Sequence, residues 1–295
     1  MADASPALIS VDWGTSSFRA YLVDASGQAS DVIPDGKGAL ALQRGEHEAY
    51  IADRLEAWRT RFPDLPIVAS GMVGARQGWL EAPYVACPAG AVEIAAATVM
   101  APGGVRILPG MSCLDTHGAP DVMRGEETQI LGAGGDGVFV LPGTHSKWAR
   151  VVGGRIVAFA TYMTGEVYAV LKSHSVLGRM MAPPQEGEGF ALGLEAARTL
   201  EHPGDLLHAA FRARTYGLFG TIAPDQLGEY LSGLLIGSEI VAGARGAKSA
   251  IVIGAADLAA RYITAGARLG VAMAPAAENC ATLGQIEVLK QLGIL

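Results

Sequence analysis

The stretch ALISVDWGTSSFRAYLVDASG, residues Ala7 to Gly27, decides how the chain is read. An apolar run carries an aspartate, Asp12, near its end. A small hydroxyl-rich turn, Gly14-Thr15-Ser16-Ser17, follows, and the chain resumes as a second apolar run from Phe18. The pattern predicts two strands joined by a tight turn. A plain hairpin needs neither the acid nor the hydroxyls. Two readings therefore stand at this point, a buried strand closed by an Asx-type turn and a phosphate site.

A second copy of the pattern lies further along. When VDWGTSSFRAYLVDASGQ from Val11 is set over VLPGTHSKWARVVGGRIV from Val140, Gly14 falls on Gly143, Thr15 on Thr144 and Ser17 on Ser146, at a constant offset of 129 residues. Each copy predicts strand, Gly-Thr turn, strand, short turn and third strand, so two related lobes are expected. Asp12 falls on Leu141, which shows that the acid is not required to shape the turn. Chemistry is the remaining reason for it. Glycine lets phosphate oxygens approach backbone N–H groups closely, and a carboxylate beside such a turn can hold Mg2+ through its waters.

Composition limits what these turns can belong to. A chain of 295 residues, half of them hydrophobic and only 6% aromatic, describes a well-buried α/β protein large enough for two domains. A net charge of −7 offers no basic stripe for a nucleic-acid backbone. Cys87, Cys113 and Cys280 are scattered and free of C-x-x-C spacing, which fits a reducing, cytoplasmic setting and suggests neither a disulfide framework nor a zinc site. No signal peptide is read at the start, and YLSGLLIGSEIVAGA, interrupted by Ser232, Ser238 and Glu239, reads as a buried helix and not a membrane span.

Other segments predict the frame. GEHEAYIADRLEAWRTRF is helical, with Ile51, Leu55 and Trp58 on one face, and a buried strand begins at Ile67. SAIVIGAADLAARYITAGARLG, Ser249 to Gly270, predicts a strand, a turn at Gly254 and a helix with Leu258, Tyr262 and Ile263 facing inward. It lacks the glycine spacing of a dinucleotide-binding fold. The end, TLGQIEVLKQLGIL, predicts one more amphipathic helix. The polar CLDTHGAPD loop suggests a boundary between a lobe of residues 1–115 and one of 116–295.

An acid-bearing Gly-Thr hairpin, a second Gly-Thr hairpin and a late strand-Gly-helix resemble the phosphate-1, phosphate-2 and adenosine elements of the sugar kinase and actin superfamily. More narrowly, VDWGTSSFRAYLVD, ASGMVGARQGWLEAPYVACPAG, DVMRGEETQILGA and LPGTHSKWARVVGGRIVAFATYMTGEVYAVL resemble the 2-dehydro-3-deoxygalactonokinase family over nearly the whole chain. The resemblance implies a two-lobed, ribonuclease-H-like α/β fold with a cleft between the lobes and a final helix crossing back to the first. It implies phosphoryl transfer from ATP, with Mg2+, to the 6-hydroxyl of 2-dehydro-3-deoxygalactonate, and leaves room for a homodimer. Another sugar acid, such as the gluconate epimer, and a non-catalytic ATP- or sugar-binding sensor of the same fold remain open.

Phosphoryl transfer needs donors around the phosphates, a metal, a base and exclusion of water. By resemblance Gly14, Thr15, Ser16, Gly143, Thr144, His145 and Gly254 are the nucleotide-binding candidates and Asp12 the metal ligand and a catalytic residue. Glu126, at the start of the helix that leads to the second turn, matches the catalytic Asp of the related Gly-Asp-Gln segment. The longer side chain keeps Glu127 open as the base, since only one of two consecutive helical residues can face a site. Arg76 and Gln77, on a glycine-rich loop after a strand, are substrate candidates, with Arg76 suited to clamp a carboxylate. Lys147 and His145 are alternative cations. His145-Ser146 as a hydrolase pair lacks an identifiable third group.

Overall fold

The computed structural model describes residues 5–295 and divides the chain into two compact units. Of the described residues, unit one comprises those up to Asp136, Arg150–Phe159 and Ala277–Leu295; unit two comprises Gly137–Ala149 and Ala160–Ala276.

In unit one the elements run β1 (Leu8–Trp13), β2 (Phe18–Val23), β3 (Ala29–Ile33), α1 (His47–Arg54), α2 (Glu56–Arg61), β4 (Ile67–Ser70), β5 (Tyr84–Ala86), α3 (Ala91–Ala96), β6 (Val99–Ala101), β7 (Val105–Ile107), β8 (Gly110–Leu114), β9 (Pro120–Met123) and α4 (Glu126–Ala133). The main sheet has the order β3-β2-β1-β4-β7-β6. β1 to β3 are antiparallel neighbours, whereas β4 lies parallel to β1 and β7 parallel to β4. β1 is buried on both faces, as its nearly unbroken apolar run requires of a central strand. Ile9, Val11, Trp13 and Phe18 pack with Ile51, Leu55 and Trp58, the inward face predicted for that helix, which is broken at Leu55 into α1 and α2.

The chain continues with β10 (Gly137–Leu141), β11 (Ser146–Val152), β12 (Arg155–Tyr162), α5 (Thr164–His174), α6 (Gly189–Arg198), α7 (Asp205–Leu218), α8 (Pro224–Ala244), β13 (Ser249–Val252), α9 (Ala256–Leu269) and β14 (Ala272–Pro275), all in unit two except residues 150–159. The sheet here has the order β12-β11-β10-β13-β14, with β10, β13 and β14 parallel. β11 returns beside β10 after only four residues, and so short a connection can only make an antiparallel pair. Three consecutive hairpin strands followed by parallel additions thus occur in both sheets, the ribonuclease-H-like order expected of the repeat. α8 is buried along most of its length by Leu227, Tyr230, Leu231, Leu234 and Ile240, so the apolar glycine-rich helix is a core helix. Among the described residues no helix is long and apolar enough to cross a membrane.

The final helix, α10 (Cys280–Gln291), belongs to unit one. Ser10 Oγ meets Thr282 Oγ1 at 3.1 Å, and Gln285 Nε2 donates to Val11 O and Ser70 Oγ, both at 3.0 Å. The break after unit one falls at Asp136, not at 115/116. The reason is pairing: β8 joins β5 and β9 in a separate three-stranded sheet, and α4 packs on α10. Residues 150–159 are tied to unit one as well, where Ile156 bridges Ala89, Arg155 pairs with Glu93 at 2.7 Å, and Gly153 and Gly154 donate to Asp136.

Candidate active site

Within unit one, three backbone segments converge at the C-terminal end of β1. Asp12 pairs with Ser70 of β4 on one side and Arg19 of β2 on the other. Gly71 follows at φ 97°, and a Cβ there would lie 2.9 Å from Trp13 O. Gly125, at φ 106°, is backed against it, since a Cβ on Gly125 would lie 3.2 Å from Gly71 Cα. Both positions combine close approach with a left-handed conformation that only glycine adopts without strain. The strand end bearing Asp12, the loop after β4 and the start of α4 are thereby packed back to back.

Asp12 is mostly withdrawn from water. Burial pushes its carboxyl above the ordinary aspartate value, opposed only by the charge of Arg19, and among the described residues no donor reaches it. The adjoining turn is held through its backbone: Gly14 N–H donates to Ser17 O at 2.9 Å and Ala39 N–H to Gly14 O at 2.9 Å. Thr15 and Ser16 are exposed, and among the described residues their N–H groups donate to no protein acceptor.

The consecutive glutamates of α4 are separated by their surroundings. Glu127 is fully buried; both its oxygens accept from Gly125 N–H, at 2.9 and 2.8 Å, and Oε1 accepts from Thr128 Oγ1. Burial first, and the neighbouring Glu126 charge second, push its carboxyl up to about 8. Glu126 is only partly buried, and its Oε2 accepts from Arg124 N–H at 2.9 Å. Of the two, Glu126 is the one with side-chain surface left for another molecule.

Arg76 and Gln77 are exposed beyond the tight turn Met72–Gly74, and the loop is anchored by Trp79, whose ring lies 6.3 Å from that of Trp13. A second arginine was not signalled by the sequence pattern. Arg124, directly before Gly125-Glu126, is 8% exposed, donates from Nη2 to Ala82 O at 2.9 Å and lies 4.3 Å from the centroid of Tyr84. Its Nε and Nη1 find no acceptor among the described residues. The clue available in the sequence was only a basic residue abutting the turn.

Unit two holds the second turn. Gly143 is half-buried, Thr144 and His145 are exposed, and among the described residues the N–H groups of Thr144 and His145 donate to no protein acceptor. His145 Nε2 meets Glu166 Oε2 of α5 at 2.5 Å, and Glu166 N–H donates to Thr144 O at 3.0 Å. Gly165 allows this docking of α5, because a Cβ there would fall 2.4 Å from Gly143 O. Ser146 is fully buried and contacts Tyr262 Oη at 3.2 Å, so it is no nucleophile for His145, although Glu166 supplies the third group that the sequence did not reveal. Lys147 is also buried, its Nζ donating to Thr161 Oγ1 at 2.9 Å. Gly254 is exposed between β13 and α9, and its Cβ position lies 3.6 Å from Pro142 O, which sets the turn after β13 beside the second Gly-Thr turn. Gly143, Thr144, His145 and Gly254 are therefore neighbours within unit two, as Asp12, Gly14 and the start of α4 are within unit one.

The chain is similar to known 2-dehydro-3-deoxygalactonokinases. The 2-keto-3-deoxy-galactonokinase family model matches residues 12–288. A protein of Rhizobium meliloti (strain 1021) assigned as a 2-dehydro-3-deoxygalactonokinase is 39% identical over 273 residues, covering 86% of this chain and 87% of that one. The 2-dehydro-3-deoxygalactonokinase of Escherichia coli (strain K12) is 36% identical over 237 residues, covering 79% of this chain and 78% of its own. A crystal structure from Sinorhizobium meliloti, of a protein assigned to the same activity, superposes with a TM-score of 0.85 at 32% identity, covering 97% of this chain and 99% of that one. The chain belongs to the 2-keto-3-deoxy-galactonokinase family.

Proposed function

We propose that the protein transfers the γ-phosphoryl group of ATP to the terminal hydroxyl of 2-dehydro-3-deoxy-D-galactonate, giving the 6-phosphate and ADP. The observation that carries the site assignment is the pair of Gly-Thr turns in one repeated strand order, each presenting unused backbone N–H groups, with a desolvated carboxylate beside only the first. Such N–H groups suit phosphate oxygens. Asp12 fits a hydrated magnesium ion, because its partly buried carboxylate has no hydrogen-bond donor among the described residues and would gain from a hard cation. When bound, the ion offsets charge on the transferring phosphoryl group.

Glu126 is the base in this proposal. The substrate hydroxyl oxygen forms the new bond to the γ-phosphorus, the bond to the bridging oxygen breaks, and the hydroxyl proton passes to the Glu126 carboxylate as ADP leaves. Orientation of the hydroxyl is the larger part of its task. Arg76 clamps the substrate carboxylate, and its exposure leaves all its donors available. Three unpaired cysteines support a cytoplasmic setting.

The test is coupled ADP release over a panel of 2-dehydro-3-deoxygalactonate, its gluconate epimer, galactonate, gluconate, glucose and glycerol. The expected result is strong preference for the first compound and almost no ADP release without sugar. Preference for glucose or glycerol would overturn the substrate and the role of Arg76. Hydrolysis regardless of sugar would overturn the kinase reading.

A further inference from the structure

The proposed chemistry leaves one buried carboxylate in unit two unused. Glu239, on α8, is 3% exposed in a core otherwise filled by Ile236, Ile240 and Val252. Withdrawing a carboxylate from water costs several kcal/mol, and apolar side chains of similar volume commonly fill such space at least as well. Packing alone therefore does not account for it. Its oxygens accept from Trp148 Nε1 on β11 at 2.8 Å, to Oε1, and from Tyr262 Oη on α9 at 2.7 Å, to Oε2, and the hydroxyls of Thr164 and Ser146 also reach the carboxylate. Tyr262 Oη in turn lies 3.2 Å from Ser146 Oγ, and Gly143 N–H donates to Ser146 Oγ across a long 3.4 Å.

The chain of contacts has a direction. An ionised carboxylate only accepts, so the Tyr262 proton is committed to Glu239, and the Ser146 hydroxyl donates inward, to Tyr262 Oη or to Glu239 itself. Ser146 then has lone pairs, and no proton, to offer Gly143. The backbone N–H of the turn is drawn inward, while the unused N–H groups of Thr144 and His145 stay at the exposed crest. α8, α9 and β11 each contribute one member, and hydrogen bonds in such a buried series reinforce one another.

We infer that Glu239 is a positioning residue for the nucleotide: through Tyr262 and Ser146 it fixes the 142–145 turn in the conformation that offers Thr144 and His145 N–H groups to phosphate. This rests on the reading of that turn as a phosphate site. Glu239 touches no reacting atom. Its effect is on nucleotide affinity, and the sugar acid is bound independently of it.

Tyr262→Phe removes one buried oxygen and interrupts the series at its centre; Glu239→Gln replaces an acceptor with a donor at its end. For each, and for the double variant, ADP affinity is measured by calorimetry without sugar, beside steady-state KM for ATP and for the sugar acid and a thermal melt. Loss of one charge-assisted link should weaken ADP binding and raise KM for ATP about tenfold, with KM for the sugar acid within about twofold. The double variant should be little worse than the poorer single one, since both break the same series. Unchanged nucleotide affinity in Tyr262→Phe, whatever its melting temperature, overturns the inference, as does an equal rise in both KM values. If Glu239→Gln does not fold, Tyr262→Phe decides alone. A wild-type protein that binds ADP but phosphorylates nothing in the panel overturns the kinase proposal and leaves this one to be judged on ADP binding; one that binds no ADP overturns both.

Discussion

The two Gly-Thr turns occupy the same place in the same strand order, yet they are held by different means. At the first, backbone does the holding: Gly14 N–H donates to the carbonyl of Ser17, and Ala39 N–H to Gly14 O. At the second, Gly143 N–H donates to the side chain of Ser146, which is supported by Tyr262 and Glu239, while α5 closes on Thr144 and His145. The first turn carries an acid and the second a leucine in the equivalent position. One strand order thus carries two differently built turns, one beside a withdrawn carboxylate and held by backbone, the other braced by buried side chains. The difference teaches that residues matched by the repeat do not share partners.

The largest break in that comparison should come from the acids that have no counterpart in the second copy. Asp12→Asn should reduce kcat by roughly 10²-fold or more, with only partial recovery at high Mg2+, because a neutral amide is a poor ligand for a hard cation. Kinetics titrated with Mg2+ check this, and an unaltered Mg2+ dependence would remove Asp12 from the metal site. Glu126→Gln should likewise lower kcat by about 10²-fold with little change in ATP affinity, as loss of a general base does. Should Glu127→Gln show that loss instead, the base lies one residue later.

Glu127 is expected to announce itself in stability. Its carboxyl ordinarily titrates at 4.5 and is pushed up to about 8 in the folded protein. Between those values the folded state holds a proton that the unfolded state has lost. Stability from this group is therefore full below about pH 4.5 and declines as pH rises through 8, by a total on the order of a few kcal/mol. Denaturant titrations at several pH values should show that fall in the wild type and a flatter profile in Glu127→Gln. An equal slope in both would mean that the buried carboxyl is ionised throughout.

Much of this frame was legible beforehand, because its signals are local. The period of two in Phe18 to Val23, the glycine turn before α9 and the inward face of Ile51, Leu55 and Trp58 all depend on neighbours along the chain. What escaped notice depends on distant partners. Ser146 and Tyr262 are 116 residues apart and Ser70 and Gln285 are 215 apart, and no spacing rule joins such pairs. Nothing local signals Arg124, whose setting comes from Tyr84 and Ala82, far from it along the chain. The division between units was misplaced for the same reason, since a polar loop marks a flexible connection only if the strands beside it do not pair, and β8 and β9 pair across that loop.

A smaller effect is expected at the substrate loop. Arg76→Ala should raise KM for the sugar acid about tenfold while leaving KM for ATP nearly unchanged, because a lost charge-assisted bond falls on one substrate only. If instead both change, the loop shapes the site as a whole and a different cation meets the carboxylate. Arg124, buried with two unused donors, is then the next to substitute.

The smallest effect tests the comparison most directly. Ser17 and Ser146 are matched by the repeat, so an equal role would give equal losses on truncation. In the first turn, however, the bond from Gly14 goes to the Ser17 carbonyl, which alanine keeps; in the second it goes to the Ser146 hydroxyl, which alanine removes. Ser146→Ala would also remove a hydrogen-bond partner of Tyr262 Oη and of Glu239 in a buried setting, where hydrogen-bond deletions cost most. Ser17→Ala should then change KM for ATP by no more than about twofold, and Ser146→Ala by about tenfold. Steady-state ATP titrations of the two variants under one set of conditions decide it. Equal, large losses would mean that both hydroxyls face the nucleotide directly, and the inward brace described for the second turn would lose its support.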